Sequence, residues 1–196
     1  MAENDAFPHD GRAEEQVASL SVRTPLPHDL DTFKKAFRRH AAGVSIVTAL
    51  TPEGDPVGFT ATSLASLAVV PPLATFNMAR SAHSWSAIRE ANHLIVHILG
   101  ANNRALAERM SSRREHRFTG DHWRAGPHGV PILTDVTGWM LGRIVKRISL
   151  HDSAVVIVQL EDGELGDSDQ ALFYHERRYS PPARANHDSD EKPPSA

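Results

Sequence analysis

The chain contains no cysteine, which removes disulfides, thiolate metal sites and cysteine nucleophiles together. No apolar run approaches the roughly 20 residues that span a bilayer, and aromatic side chains make up only 6% of the chain. Charge of one sign is also missing: 21 Lys and Arg against 24 Asp and Glu leave a formal net charge of −3. That balance gives no electrostatic pull toward nucleic acid or an anionic membrane, and so few aromatics make a poor stacking platform for single strands. The opening residues MAENDAFPHDGRAEEQ are polar and acidic, the reverse of a secretory signal. The expected location is the cytoplasm. What is present, 196 residues at 40% hydrophobic, suffices for one core and one domain.

Residues 1–28 are rich in Pro, His, Asp and Glu without a period and are expected to form a disordered arm. The stretch PPARANHDSDEKPPSA at 181–196 reads as a disordered tail, leaving 29–180 as the folded domain. Asp29 or Asp31 caps an expected helix whose Leu30, Phe33 and Phe37 fall on one face, with Gly43 closing it. Strands are expected at Val44–Leu50, Val57–Ser63, Leu73–Asn77, His93–Leu99, Gly138–Ser149 and Ser153–Leu165. Further strands surround Leu172–Tyr174 and Tyr179. Helices fall at Ala82–Asn92 and Asn102–Met110, and residues 111–129 form a long polar, basic loop of a kind often functional. Many short strands with few helices point to a mainly β fold, an antiparallel barrel that leaves no open edge.

The most informative stretch is VGFTATSLASLAVVPPLATFNMARSAHSWSAIR, residues 57–89. A strand there ends in Thr60, Thr62, Ser63 and Ser66, small hydroxyls beside which a flat or phosphorylated ligand reaches backbone N–H groups. The same residues also suit ordinary strand and turn chemistry. The turn Arg80, Ser81, Ala82, His83, Ser84 then enters a helix: Ser81 is an expected N-cap, and a helix start with an adjacent Arg favours anionic oxygen. Arg117, in Arg117-Phe118, is either a second phosphate partner or a solvated loop charge. The twelve histidines offer no metal spacing. His93 and His97 share a strand face but lie too far apart to chelate together, and His97 reads as a packed or hydrogen-bonded core residue.

The strand Gly43–Thr48, the run Gly58 to Ser66, the pair Pro71-Pro72, the turn from Arg80 to Ser84, Arg117-Phe118 and the closing Leu172–His175 with Tyr179 resemble one family in register. It is the short-chain flavin reductases, the reductase partners of two-component flavin monooxygenases, and the likeness runs over roughly residues 30 to 180. The resemblance implies an FMN-binding split β-barrel with a few inserted helices. It implies an NAD(P)H:flavin oxidoreductase that reduces FMN (or FAD) with NADH or NADPH and passes reduced flavin to a monooxygenase. It also implies a homodimer with the flavin near the subunit interface. The cofactor-binding residues carried over are Thr60, Ala61, Thr62, Ser63, Ser66, Asn77, Arg80, Ser81, Ala82, His83, Ser84, Arg117 and Phe118.

Thr62 stands where the family usually has Asn. At the turn 151–153 the family places a His near the nicotinamide, and here Ser153 falls in that register with His151 on the other side of Asp152. Either His151 swings in or that contact is lost. His175 and Tyr179 are secondary candidates. Hydride transfer to flavin needs no acid, base or nucleophile from the protein, so no catalytic residue is assigned. Two alternatives stay open: a flavoenzyme of the same fold that retains its flavin, and a non-catalytic flavin-binding protein.

Overall fold

Two central strands carry apolar residues on both faces, which is what burial on both sides requires. In the computed structural model, which describes residues 26–167 and 169–182, these are β2 (Ser45–Leu50) and β6 (His93–Ile98). β5 (Leu73–Ala79) and β10 (Ser153–Leu165) instead alternate buried and accessible side chains, as strands with one covered face do. With β3 (Pro56–Ala61), β4 (Ala65–Ala68) and β9 (Gly138–Leu150) they build a seven-stranded sheet in the order β3-β2-β6-β9-β10-β5-β4. Every pairing in it is antiparallel. β1 (Ala42–Gly43), β11 (Phe173–His175) and β12 (Arg178–Ser180) form a small sheet, and β7 (Trp123–Ala125) pairs with β8 (Pro131–Leu133). The mainly β, antiparallel expectation holds.

The chain divides into two units at residues 37 and 38. The described part of the first is helix α1 (Pro27–Arg39), which runs across that boundary. Its start differs from expectation. Asp29 sits in the first turn and accepts a hydrogen bond from the Leu26 N–H at 3.1 Å, half of a capping box. The helix ends at Arg39, and Gly43 belongs to β1. No residue of α1 is buried, so the expected inward face of Leu30, Phe33 and Phe37 is accessible. Phe33 and Phe37 meet ring to ring at 4.5 Å. The expected arm lies outside the described residues up to position 25, and the tail does from 183 onward.

In the second unit the main core gathers Val47 and Ala49 of β2, Leu94 and Val96 of β6, Phe76 of β5, Val156 of β10, and Trp85 and Ile88 of the short helix α2 (Trp85–Glu90). Burying each large side chain contributes about 1.5–3 kcal/mol. The opposite face of β2 and β6 is covered by α3 (Arg104–Ser111), β8 and the segment around Leu172. Arg147 of β9 holds α2 from its C-terminal end, donating to the carbonyls of Ile88 (2.8 Å) and Ala91. A cation suits the negative end of a helix there.

Among the described residues His97 is the one buried imidazole. It is fully buried; its Nδ1 donates to the Ile46 carbonyl at 3.2 Å and its Nε2 accepts from the Leu133 N–H at 3.0 Å. This arrangement fixes the neutral tautomer, and burial pushes its pKa down from 6.5 to about 4. Above pH 6.5 the ring is neutral in the folded and unfolded chain alike and costs nothing. Below it, the unfolded chain takes up a proton the folded chain refuses, so stability falls until about pH 4 and then levels. The loss should total roughly 3 kcal/mol. Urea unfolding at steps from pH 7.5 to 4 should show that slope, and His97→Asn should flatten it whatever its baseline stability; an unchanged slope in the variant would exclude His97 as the source.

Candidate active site

β3 and β4 stand at opposite ends of the seven-stranded order, yet only Thr62, Ser63 and Leu64 separate them in the chain. A flat seven-stranded sheet would hold its edges roughly 29 Å apart at about 4.8 Å per strand, whereas the connector reaches at most about 15 Å. The sheet therefore curls so that the ends of β3 and β4 converge at this connector. Ser63 ties the connector to β5: its Oγ accepts from the Asn77 N–H at 2.9 Å and donates to the Asn77 carbonyl at 3.2 Å. Among the described residues the outer side of β3 has no strand partner, and its Gly58 carbonyl is instead taken by Arg117.

The expected hydroxyls divide into two kinds. Thr62 and Ser66 are exposed. Ser63 is spent on Asn77, and Thr60 lies 3.2 Å from Ser111 Oγ. Ser111 in turn donates to the Ala107 carbonyl at 2.8 Å and lies 2.9 Å from the Tyr179 hydroxyl. A serine has one hydrogen and two acceptor sites. With its hydrogen on Ala107, Ser111 accepts from both Thr60 and Tyr179. Thr60 is left with lone pairs to offer. The carbonyl of Ala61 accepts from Ser45 Oγ at 2.9 Å.

The turn at 80–84 forms, with a correction at its end. Helix α2 starts at Trp85, so its N-cap is Ser84, not Ser81, and Ser84 makes no capping bond with its side chain. Residues 81–84 remain a turn, pinned by Ala82 N–H to the Ala79 carbonyl and Trp85 N–H to the Ala82 carbonyl. Ser81, Ala82 and His83 are exposed, Ser84 buried. Arg80 braces the hairpin between β9 and β10: its N–H bonds the Asp152 carbonyl at 2.7 Å and its Nη1 the His151 carbonyl at 3.0 Å. His151 adopts a left-handed backbone with φ of 50°. Ser153, directly after the turn, pairs with Ala79. The phosphate candidate and the nicotinamide candidates are thus one braced unit.

Arg117 is neither a solvated loop charge nor a freely projecting ligand. Its Nε and Nη2 both donate to the Ser112 carbonyl (3.0 and 2.9 Å), and its Nη1 donates to the Gly58 carbonyl at 2.6 Å. It clamps the loop carrying α4 (Arg114–Arg117) onto β3. Phe118 packs beside it against Gly58, where a Cβ would stand only 2.9 Å from the ring. His83, Ser84, Arg117 and Phe118 line one cleft of about 790 Å³ with Ser111–Glu115 and Pro56–Gly58. Ser111–Glu115 were not singled out from sequence; the basic composition of the 111–129 loop was the available signal. His175 stands exposed in β11 opposite Arg178. Among the described residues no group of three or more His, Cys, Asp or Glu is placed to hold a metal.

The curled antiparallel sheet, the hydroxyls around the β3–β4 connector, the braced Arg80 and the cleft lined by Arg113, Arg114 and Arg117 lie together in one β domain. The family model of the flavin reductase like domain matches residues 37–183. The NADH:FMN oxidoreductase of Rhodococcus qingshengii is 35% identical over 155 residues, covering 76% of this chain and 80% of the relative. The reductase subunit of a flavin-dependent monooxygenase from Rhodococcus jostii is 34% identical over 52% of each. The crystal structure of a flavin reductase domain protein from Arthrobacter sp. FB24 superposes with a TM-score of 0.77 at 49% identity, over 81% of this chain and 99% of that one. The chain belongs to the flavin reductase like family.

Arg117→Met keeps bulk but forfeits three charged hydrogen bonds. It should cost about 2 kcal/mol by urea unfolding and accelerate amide exchange across 112–118. Unchanged exchange there would mean the loop is held by other contacts.

Proposed function

We propose that the chain is an NAD(P)H:flavin oxidoreductase that reduces FMN (or FAD) and supplies reduced flavin to a partner monooxygenase. Support comes from family membership and from the relatives: one is an NADH:FMN oxidoreductase matched over four-fifths of its length, another the reductase subunit of a flavin-dependent monooxygenase. The observation that carries the site assignment is the seam. Where β3 and β4 converge, the exposed Thr62 and Ser66 and the braced Arg80 stand on consecutive or hydrogen-bonded segments.

The residues present fit a flavin. In this reading the split barrel closes at the seam, Thr62, Ser66 and the β3 edge bind the flavin, and the turn Arg80–Ser84 takes its phosphate. Thr60 accepts a hydrogen bond from the ligand, since its own hydrogen is committed to Ser111. When bound, the flavin supplies the hydride acceptor. The protein's part is to bind, orient and leave one face approachable, a matter of position rather than proton transfer. Arg80, by bracing His151 and Asp152, fixes the hairpin against which the nicotinamide approaches. A homodimer and a cytoplasmic location belong to the same proposal.

Anaerobic mixing of the purified chain and FMN with NADH, then NADPH, should bleach oxidised flavin far faster than without protein, and the faster nucleotide identifies the donor. Arg80→Ala and Thr62→Val should each raise the FMN dissociation constant roughly tenfold. Tight FMN binding with no bleaching by either nucleotide would discard the reductase reading.

A further inference from the structure

A cluster of hydroxyls beside β3 joins three segments distant in the chain: Thr60 of β3, Ser111 at the end of α3 and Tyr179 of β12. Its hydrogens can be assigned in turn. The Ala107 carbonyl, one helical turn before Ser111, can only accept, so the 2.8 Å contact between them spends the single hydrogen of Ser111. The hydroxyls of Thr60 and Tyr179, at 3.2 and 2.9 Å from the same Oγ, must then both donate to it. Two donated bonds fill both lone pairs of Ser111, which keeps nothing for a ligand. Tyr179 is held by its ring contact with Tyr174 at 5.1 Å. Thr60 is half-buried, and among the described residues Ser111 is the one partner of its hydroxyl. It therefore retains lone pairs and no hydrogen.

We propose that Ser111 is a positioning residue that makes Thr60 an acceptor-only group, and that the site thereby selects a flavin by its ring imide N–H. The proposal rests on the flavin reading of the site and adds to it a residue that acts only through another. In the oxidised isoalloxazine ring the carbonyls only accept, and the imide N–H between two of them is the group that must donate. An unconstrained threonine would serve either kind by turning its hydrogen. Thr60, with its hydrogen held by Ser111, is matched to the N–H alone, and a ring carbonyl set against it leaves lone pairs facing lone pairs. A site built to hydrogen-bond one group discriminates strongly against an analogue that lacks it. The origin of that selectivity lies at the end of α3, in the bond from Ser111 to Ala107.

The test titrates FMN and 3-methyl-FMN, in which methyl replaces the imide hydrogen, against the full chain and its variants, following flavin fluorescence. The unaltered chain should prefer FMN roughly 10- to 100-fold. Ser111→Ala frees the Thr60 hydrogen to turn toward a ring carbonyl. That variant should bind 3-methyl-FMN about tenfold more tightly than the unaltered chain does, a gain that loosened packing does not produce. Tyr179→Phe removes a hydroxyl from the same cluster but leaves Thr60 donating to Ser111, so the preference for FMN should persist. If alanine impairs folding, Ser111→Cys offers a weak acceptor of similar shape and should show the same gain in smaller measure. Equal affinity of the unaltered chain for the two flavins would overturn the proposal. So would an intact preference in Ser111→Ala, or an equal loss of it in Tyr179→Phe, which would assign the effect to packing. Failure of the flavin reading is seen separately, as no FMN binding by the unaltered chain and no bleaching by either nucleotide.

Discussion

The three-residue connector between β3 and β4 governs this molecule. It joins strands that sit at opposite ends of a seven-stranded order, and no flat sheet satisfies it. Twist alone would curve such a sheet gently; the connector makes the curl obligatory and fixes where the edges converge. The two bonds of Ser63 to the Asn77 backbone then hold the connector against β5. The place where ladder pairing runs out, a liability in an open sheet, is the place the proposed function gives to the ligand. The convergence of the two sheet ends is a consequence of one short loop.

Around the seam, arginines do their structural work by reaching carbonyls rather than carboxylates. Arg80 takes His151, Arg117 takes Gly58 and Ser112, and Arg147 takes Ile88 and Ala91. A carbonyl satisfies a guanidinium N–H without cancelling its charge. The result is geometry pinned as firmly as by ion pairs with the positive potential left intact. The surface pairs elsewhere, Lys35 with Asp31 and Arg104 with Glu108, are exposed helix pairs of the kind that contribute little. An anion approaching the cleft meets charge that the fold has oriented and not neutralised.

Much of this was legible in the residues. The strand bounds at Ser153–Leu165 matched because alternation is strong there, and β2 and β6 announced themselves as continuous apolar runs. His97 was readable as a core residue because an imidazole within LIVHIL has nowhere polar to go except backbone. The helix after Arg80 was placed too early, since Ser81 and Ser84 are both good caps and only tertiary packing of Trp85 and Ile88 decides between them. The face of α1 read as inward because its spacing is amphipathic, a property that says a face is apolar and not what covers it. Arg117 was unreadable for a different reason: its partners, Gly58 and Ser112, are backbone carbonyls, and a carbonyl leaves no mark in sequence.

The polarity of Thr60 shows how far such bonds reach into function. Its hydroxyl looks interchangeable with those of Thr62 and Ser66, but the single hydrogen of Ser111 is drawn to Ala107, so Thr60 must donate to Ser111 and can only accept from a ligand. Phosphate oxygens, which need donors, are thereby poorly served at Thr60 and well served at Arg80. Ligand N–H or O–H groups are served in the reverse order. A bound flavin presents both kinds of group, phosphate at one end and a ring edge with an N–H at the other. In the proposed flavin site, the bond from the helix terminus to Ala107 favours one direction for the cofactor along β3, its anionic end at the braced turn and its donors toward Thr60.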